Sequence, residues 1–184
     1  AHIRVSVAGT PEAMSAALNN TIPQTALIDR HSATMNAQYD GAPIFESIDG
    51  TSLRYAVNTP ASILMDKDSV YYAVDQAIWF VAESPEGPWQ VATTYPQEVK
   101  NIPPSCPLFN VKYVSIYDVS DDIVFSGYTP GYMGTFLFRG VVYYGTGYRY
   151  KSWHGSKYFP TPSTYGSGVK KKKSNVTVTV SVGY

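Results

Sequence analysis

Near its C-terminal end the chain reads Asn175-Val176-Thr177-Val178-Thr179-Val180-Ser181-Val182, a strict alternation of valine with small polar residues. Side chains on a strand point alternately to its two faces, so the run sets Val176, Val178, Val180 and Val182 on one face and the hydroxyls on the other. The opposite end, His2-Ile3-Arg4-Val5-Ser6-Val7, repeats the pattern with Ile3, Val5 and Val7. Neither run has an obvious hairpin partner beside it in the sequence. Each is expected to be a strand that completes a sheet, in its own chain or in a neighbouring copy, because a lone strand leaves its amides and carbonyls unpaired.

The 184 residues are enough to bury a core as one domain or as two small sheet modules. Charged residues make up 15% and the formal net charge is zero, so no long-range field draws the surface to nucleic acid. Cys106 is the single cysteine and cannot close an internal disulfide. No stretch approaches the roughly 18 apolar residues of a membrane-spanning helix, and no transmembrane segment is expected. The sequence opens on Ala1 without a charged segment and apolar run behind it, which fits a processed exported protein or a piece of a longer one. Sixteen tyrosines, many hydroxyl residues and low charge favour an extracellular or cell-surface setting.

Thr10-Pro11-Glu12 predicts one short helix, with a capping hydroxyl, proline at the first position and an acid in the first turn. Ala13, Met14, Ala16, Ala17 and Leu18 form its apolar stripe, and Asn19-Asn20 followed by Pro23 ends it. Short β runs and turns follow, at residues 26–28, 33–39, 44–48 and 53–57, with Asp40-Gly41 and Asp49-Gly50 as hairpin signals. The grammar continues at 62–65, 70–74, 77–82 and 89–91, with turns at Asp66-Lys67-Asp68 and Ser84-Pro85-Glu86-Gly87-Pro88. Pro96, Pro103, Pro104 and Pro107 predict an extended connector over 96–107, between a module at 1–95 and a Gly/Tyr-rich module at 108–184. Beyond it, residues 111–117 and 123–125 read as strands around Ser120-Asp121-Asp122. The expected fold is all-β, mainly antiparallel short strands in a meander or sandwich, with one short helix near the N-terminus.

A set of segments resembles a family of exported, β-rich bacterial envelope proteins, some of them labelled carbohydrate-binding or autotransporter-like. The segments are Val7-Ala8-Gly9-Thr10-Pro11-Glu12-Ala13, Ile22-Pro23-Gln24-Thr25-Ala26, Gly50-Thr51-Ser52-Leu53-Arg54-Tyr55-Ala56-Val57-Asn58-Thr59 and Tyr71-Tyr72-Ala73-Val74-Asp75. They continue with Trp79-Phe80-Val81-Ala82, Ser84-Pro85-Glu86-Gly87-Pro88-Trp89, Ile102-Pro103-Pro104-Ser105, Gly127-Tyr128-Thr129-Pro130-Gly131-Tyr132 and Val141-Val142-Tyr143-Tyr144-Gly145-Thr146-Gly147. The resemblance implies export and a β-rich body, and it offers no catalytic residues to carry over. It departs at the C-terminus, where the chain turns to the lysines at 170–173 and the valine run.

His2, His31 and His154 are far apart and lack ligand spacing, and Cys106 has no neighbouring histidine motif, so neither a zinc site nor a catalytic thiol is assigned. No nucleophile elbow or phosphate-binding loop occurs. The aspartates at 66 and 68, and at 118, 121 and 122, read as turn chemistry rather than as a calcium loop. Trp79 and Trp89 sit in dense apolar runs and read as core. Tyr148, Tyr150, Trp153 and Tyr158 form the candidate glycan or surface contact, because aromatic faces beside hydroxyls suit sugar rings. The lysines at 170–173 read first as a solvated run that also discourages unwanted edge pairing.

These readings converge on a non-enzymatic structural subunit of a secreted bacterial surface assembly or filament, a homopolymer without cofactor. Its expected subunit contacts are Ile3, Val5, Val7, Val176, Val178, Val180 and Val182, through strand complementation. The competing reading is a monomeric carbohydrate-binding module with polysaccharide as partner.

Overall fold

Thr10 starts the short helix α1 (Pro11–Asn19) by accepting the Ala13 amide on its hydroxyl at 3.3 Å, with Pro11 and Glu12 in the first turn. In this computed structural model the described residues are 7–143 together with 164 and 165. The expected apolar stripe of α1 is only partly used. Ala13 is fully buried, whereas Met14 and Leu18 are 61% and 67% exposed, because the short helix rests on its small side chain and turns the long ones outward.

The strands are β1 (Gln24–Asp29), β2 (Phe45–Ser47), β3 (Arg54–Ala56), β4 (Ser62–Met65), β5 (Tyr71–Asp75) and β6 (Ile78–Ala82), followed by β7 (Gln90–Val91), β8 (Val114–Val119), β9 (Ile123–Tyr128), β10 (Phe136–Phe138) and β11 (Val141–Tyr143). Every ladder is antiparallel. β2 to β7 form a six-stranded meander in chain order, β1-β9-β8 form a three-stranded sheet, and β10-β11 form a hairpin. This is the all-β, antiparallel architecture with one N-terminal helix that the patterning predicts.

The central strands of the meander, β4 to β6, are buried on both faces. On β4, β5 and β6, neighbours in sequence go to opposite cores: Ile63 against Leu64, Ala73 against Val74, and Ile78 and Phe80 against Trp79. One core is shared with Ala26, Ile28 and Val124 of the β1-β9-β8 sheet. The other is closed by Val99, Ile102, Cys106, Leu108, Val111 and Val114. A sheet covered on both sides needs continuous apolar strands rather than alternating ones, and the run Ala77-Ile78-Trp79-Phe80-Val81-Ala82 meets that need.

Three segments differ from the expectation. Residues 33–39 form no ladder, because their surroundings are tied by side chains instead. The Thr59 hydroxyl donates to the Gln38 carbonyl at 2.6 Å, and the fully buried Asn58 amide donates to the carbonyls of Asp40 and Ala42 at 2.8 and 2.7 Å. Asn58 Oδ1 also accepts the Ile44 amide at 2.9 Å, so one side chain replaces a stretch of ladder. Residues 109–113 coil into a 3₁₀ turn, Phe109–Tyr113, so the strand expected from 111 begins at Val114. The connector is not simply extended either: Gln97–Asn101 is a 3₁₀ turn, and Val99 and Ile102 are core residues because their apolar side chains cap the meander.

The β5–β6 turn carries backbone strain. Gln76 and Ala77 both adopt positive φ, 51° and 63°, where side chains other than glycine are disfavoured. Two tyrosines brace it: Tyr132 Oη accepts the Ala77 amide at 3.3 Å, and Tyr165 Oη donates to the Ala77 carbonyl at 2.9 Å.

Candidate functional site

Among the described residues no histidine, cysteine and carboxylate side chains are grouped as a metal site would need, and the sheet edges are the most distinctive surfaces. The meander ends in β2, three residues long, and β7, two residues long, both too short to hold a further strand firmly. The edges of the other sheet, β1 and β8, are six residues each. They differ in what already occupies them.

The outward carbonyl of Val114 on β8 accepts Trp79 Nε1 at 3.1 Å, and the ladder to β9 breaks at a bulge between Ile116 and Asp118, where Tyr117 is the extra residue. Both features blunt that edge. On β1 the register runs without interruption from Gln24 opposite Tyr128 to Asp29 opposite Ile123. The Arg30 amide donates to the Asp122 carbonyl at 2.9 Å, which sets the phase of the ladder. Ile28, Ala26 and Gln24 bond to β9, and the amides and carbonyls of Thr25, Leu27 and Asp29 point to the other side. There the Asp29 carbonyl is met by the amides of Ser32 and Ala33, and β1 has no ladder neighbour among the described residues.

Side chains follow the same alternation. Ala26 and Ile28 enter the core, while Leu27 stands outward, 44% exposed, opposite Phe125. Phe125 and Tyr117 meet at 5.6 Å between ring centroids, extending an apolar strip across the outer face. Gly127 keeps that face low, since a Cβ there would lie 2.8 Å from the Tyr117 ring and 2.9 Å from the Gln24 carbonyl.

The Asp29 end of the sheet is polar. Asp29 Oδ1 accepts the His31 amide at 2.8 Å, and this bond holds the carboxyl below the usual carboxylate range. His31 Nε2 meets Asp122 Oδ1 at 3.2 Å, and Arg30 Nη1 donates to the Asp121 carbonyl at 2.8 Å. The His31 pair is exposed on both sides and contributes at most about 1 kcal/mol.

Of the residues singled out by sequence, Val7 is described, and its carbonyl accepts the Thr10 amide and hydroxyl as the chain turns into α1. Ile3, Val5, Val176, Val178, Val180 and Val182 lie outside the described residues, as do Tyr148, Tyr150, Trp153 and Tyr158. Trp79 and Trp89 are buried, and Trp79 stacks on Tyr95 at 4.8 Å. Asp66 Oδ1 accepts the amides of Asp68 and Val70, both at 2.9 Å, as turn chemistry requires. Among the described residues no group of three histidine, cysteine or carboxylate side chains is placed to hold a metal. Cys106 is buried, and desolvation pushes its thiol up, away from reactivity.

Sequence reasoning located β1 as a strand and missed that it is an edge. The signal for the partnership of Arg30 and His31 with the Asp121-Asp122 turn is absent from local pattern, since the partners are 91 residues apart. No family model, curated protein or solved structure matches the chain.

Proposed function

We propose that this chain is a non-enzymatic structural subunit of an exported assembly, in which a terminal strand of one copy completes the sheet of the next. The observation that carries this reading is the edge of β1: a strand in unbroken register with β9, with the amides and carbonyls of Thr25 and Leu27 turned to the other side and no ladder neighbour there among the described residues. An exposed edge of that kind recruits a strand, and main-chain hydrogen bonds then supply affinity. The valine run at 176–182 is the complementary element, long enough to span β1 and alternating as a sheet strand must. Contacts of this head-to-tail kind propagate unless rotation closes a ring, which gives a filament or a closed assembly of identical copies.

Removal of residues 174–184 from the full chain tests it by light scattering and electron microscopy. The parent is expected to associate and the shortened chain to remain a folded monomer. A parent that is monomeric at all concentrations overturns the reading, and glycan binding by that monomer would put the carbohydrate-binding module in its place.

A further inference from the structure

The two ends of β1 are chemically opposite. At its C-terminal end Asp29 lies beside the β8–β9 turn with Asp121 and Asp122. Asp121 and Asp122 are exposed. Arg30 directs its guanidinium to a carbonyl rather than to a carboxylate and the His31 ring meets Asp122, so among the described residues the aspartates outnumber the cations beside them. At the other end, Thr21-Ile22-Pro23-Gln24 faces Gly127-Tyr128-Thr129-Pro130, with no charged residue in either segment.

The densest positive block of the chain, Lys170-Lys171-Lys172-Lys173, lies directly before Ser174 and the valine run. Resting on the function proposed above, we propose that residues 174–182 of a neighbouring copy pair antiparallel with β1, with that copy's lysines seated against Asp29, Asp121 and Asp122. A strand laid antiparallel on β1 begins where β1 ends, so the lysines preceding it arrive at the acidic end. A parallel strand would leave them at the uncharged Gln24 end. The charges set direction, and the main chain supplies the grip.

Cysteine pairing in full-length chains reads both edge and direction. A register with Asn175 opposite Asp29 sets Val180 opposite Gln24. Gln24→Cys in one chain and either Val180→Cys or Asn175→Cys in another are mixed and oxidised, with the parent chain and its buried Cys106 as control. A disulfide-linked dimer is expected with Val180→Cys and roughly fivefold less with Asn175→Cys, because only side chains a few ångströms apart close the bond. Reversal of residues 170–173 to glutamate is expected to lower the dimer yield about threefold or more at low salt, and Asp121→Lys with Asp122→Lys in the acceptor restores it. Preference for Asn175→Cys, or indifference to both reversals, overturns the antiparallel, charge-guided arrangement. Chains that associate by light scattering without any Gln24→Cys dimer overturn β1 as the acceptor and leave the assembly reading standing. Mixed chains that stay monomeric overturn the assembly itself, and this proposal with it.

Discussion

The meander and the β1-β9-β8 sheet are built from the same antiparallel pairing, and they stand in different surroundings. In the meander, consecutive side chains such as Ile63 and Leu64, or Trp79 and Phe80, are removed from water on both faces, and its terminal strands are only two and three residues long. In the β1-β9-β8 sheet one face is core and the other carries Leu27, Phe125 and Tyr117, with a six-residue edge at β1. Burial on two faces and short edges make the meander a support. One covered face and a long edge make the other sheet the surface on which a partner can act.

Substitutions can break or sharpen that contrast. The largest effect is expected in the meander: Trp79→Ala removes a buried indole, its stack on Tyr95 and its bond to the Val114 carbonyl, and should cost about 3–5 kcal/mol in urea denaturation. A loss below about 1 kcal/mol would show that the middle layer is not the support described. Asn58→Ala leaves the Ile44 amide and the carbonyls of Asp40 and Ala42 without their buried partner, for an expected loss of about 2–4 kcal/mol by thermal unfolding.

On the other sheet, Gly127→Ala drives a methyl against Tyr117, Thr25 and the Gln24 carbonyl, and should cost about 1–3 kcal/mol while loosening β1 from β9 in hydrogen exchange. Leu27→Pro sharpens the contrast most cleanly. The amide it removes faces the open edge, so stability should change by less than about 1 kcal/mol, whereas association by light scattering should be lost. Ile28→Pro, whose amide is bonded to β9, is the matched control and should unfold the sheet.

The smallest effect belongs to Asp29→Asn. The native carboxyl titrates below its unfolded value, so its contribution is fully present above about pH 4 and disappears as pH falls through the native pKa. Stability curves of the parent and of Asp29→Asn should therefore differ at neutral pH and converge in acid. Divergence on acidification would reject the role given to the His31 amide.

Much of the fold was legible from local pattern. The cap at Thr10, the strand Ser62–Met65 and the turn at Asp66 follow from hydroxyl capping, apolar runs and aspartate turn chemistry. Residues 33–39 were not legible, because Asn58 and Thr59 hold that region from farther along the chain. The break between β5 and β6 was legible, and the backbone of its turn was not: no glycine marks positive φ at Gln76 and Ala77, and the tyrosines that brace them are at 132 and 165. The candidate site divides in the same way. Its strand was readable at 26–28, and its status as an edge was not.

By itself the sequence determined that the chain makes short antiparallel strands, one capped helix and a valine row at 176–182, because period-two alternation and turn residues act over a few positions. Only the tertiary structure decided that β1 leaves its own neighbourhood to pair with β9, and that its far side has no ladder neighbour among the described residues. The pairing partner of a strand is chosen by burial summed over the whole core, and no local window contains that sum.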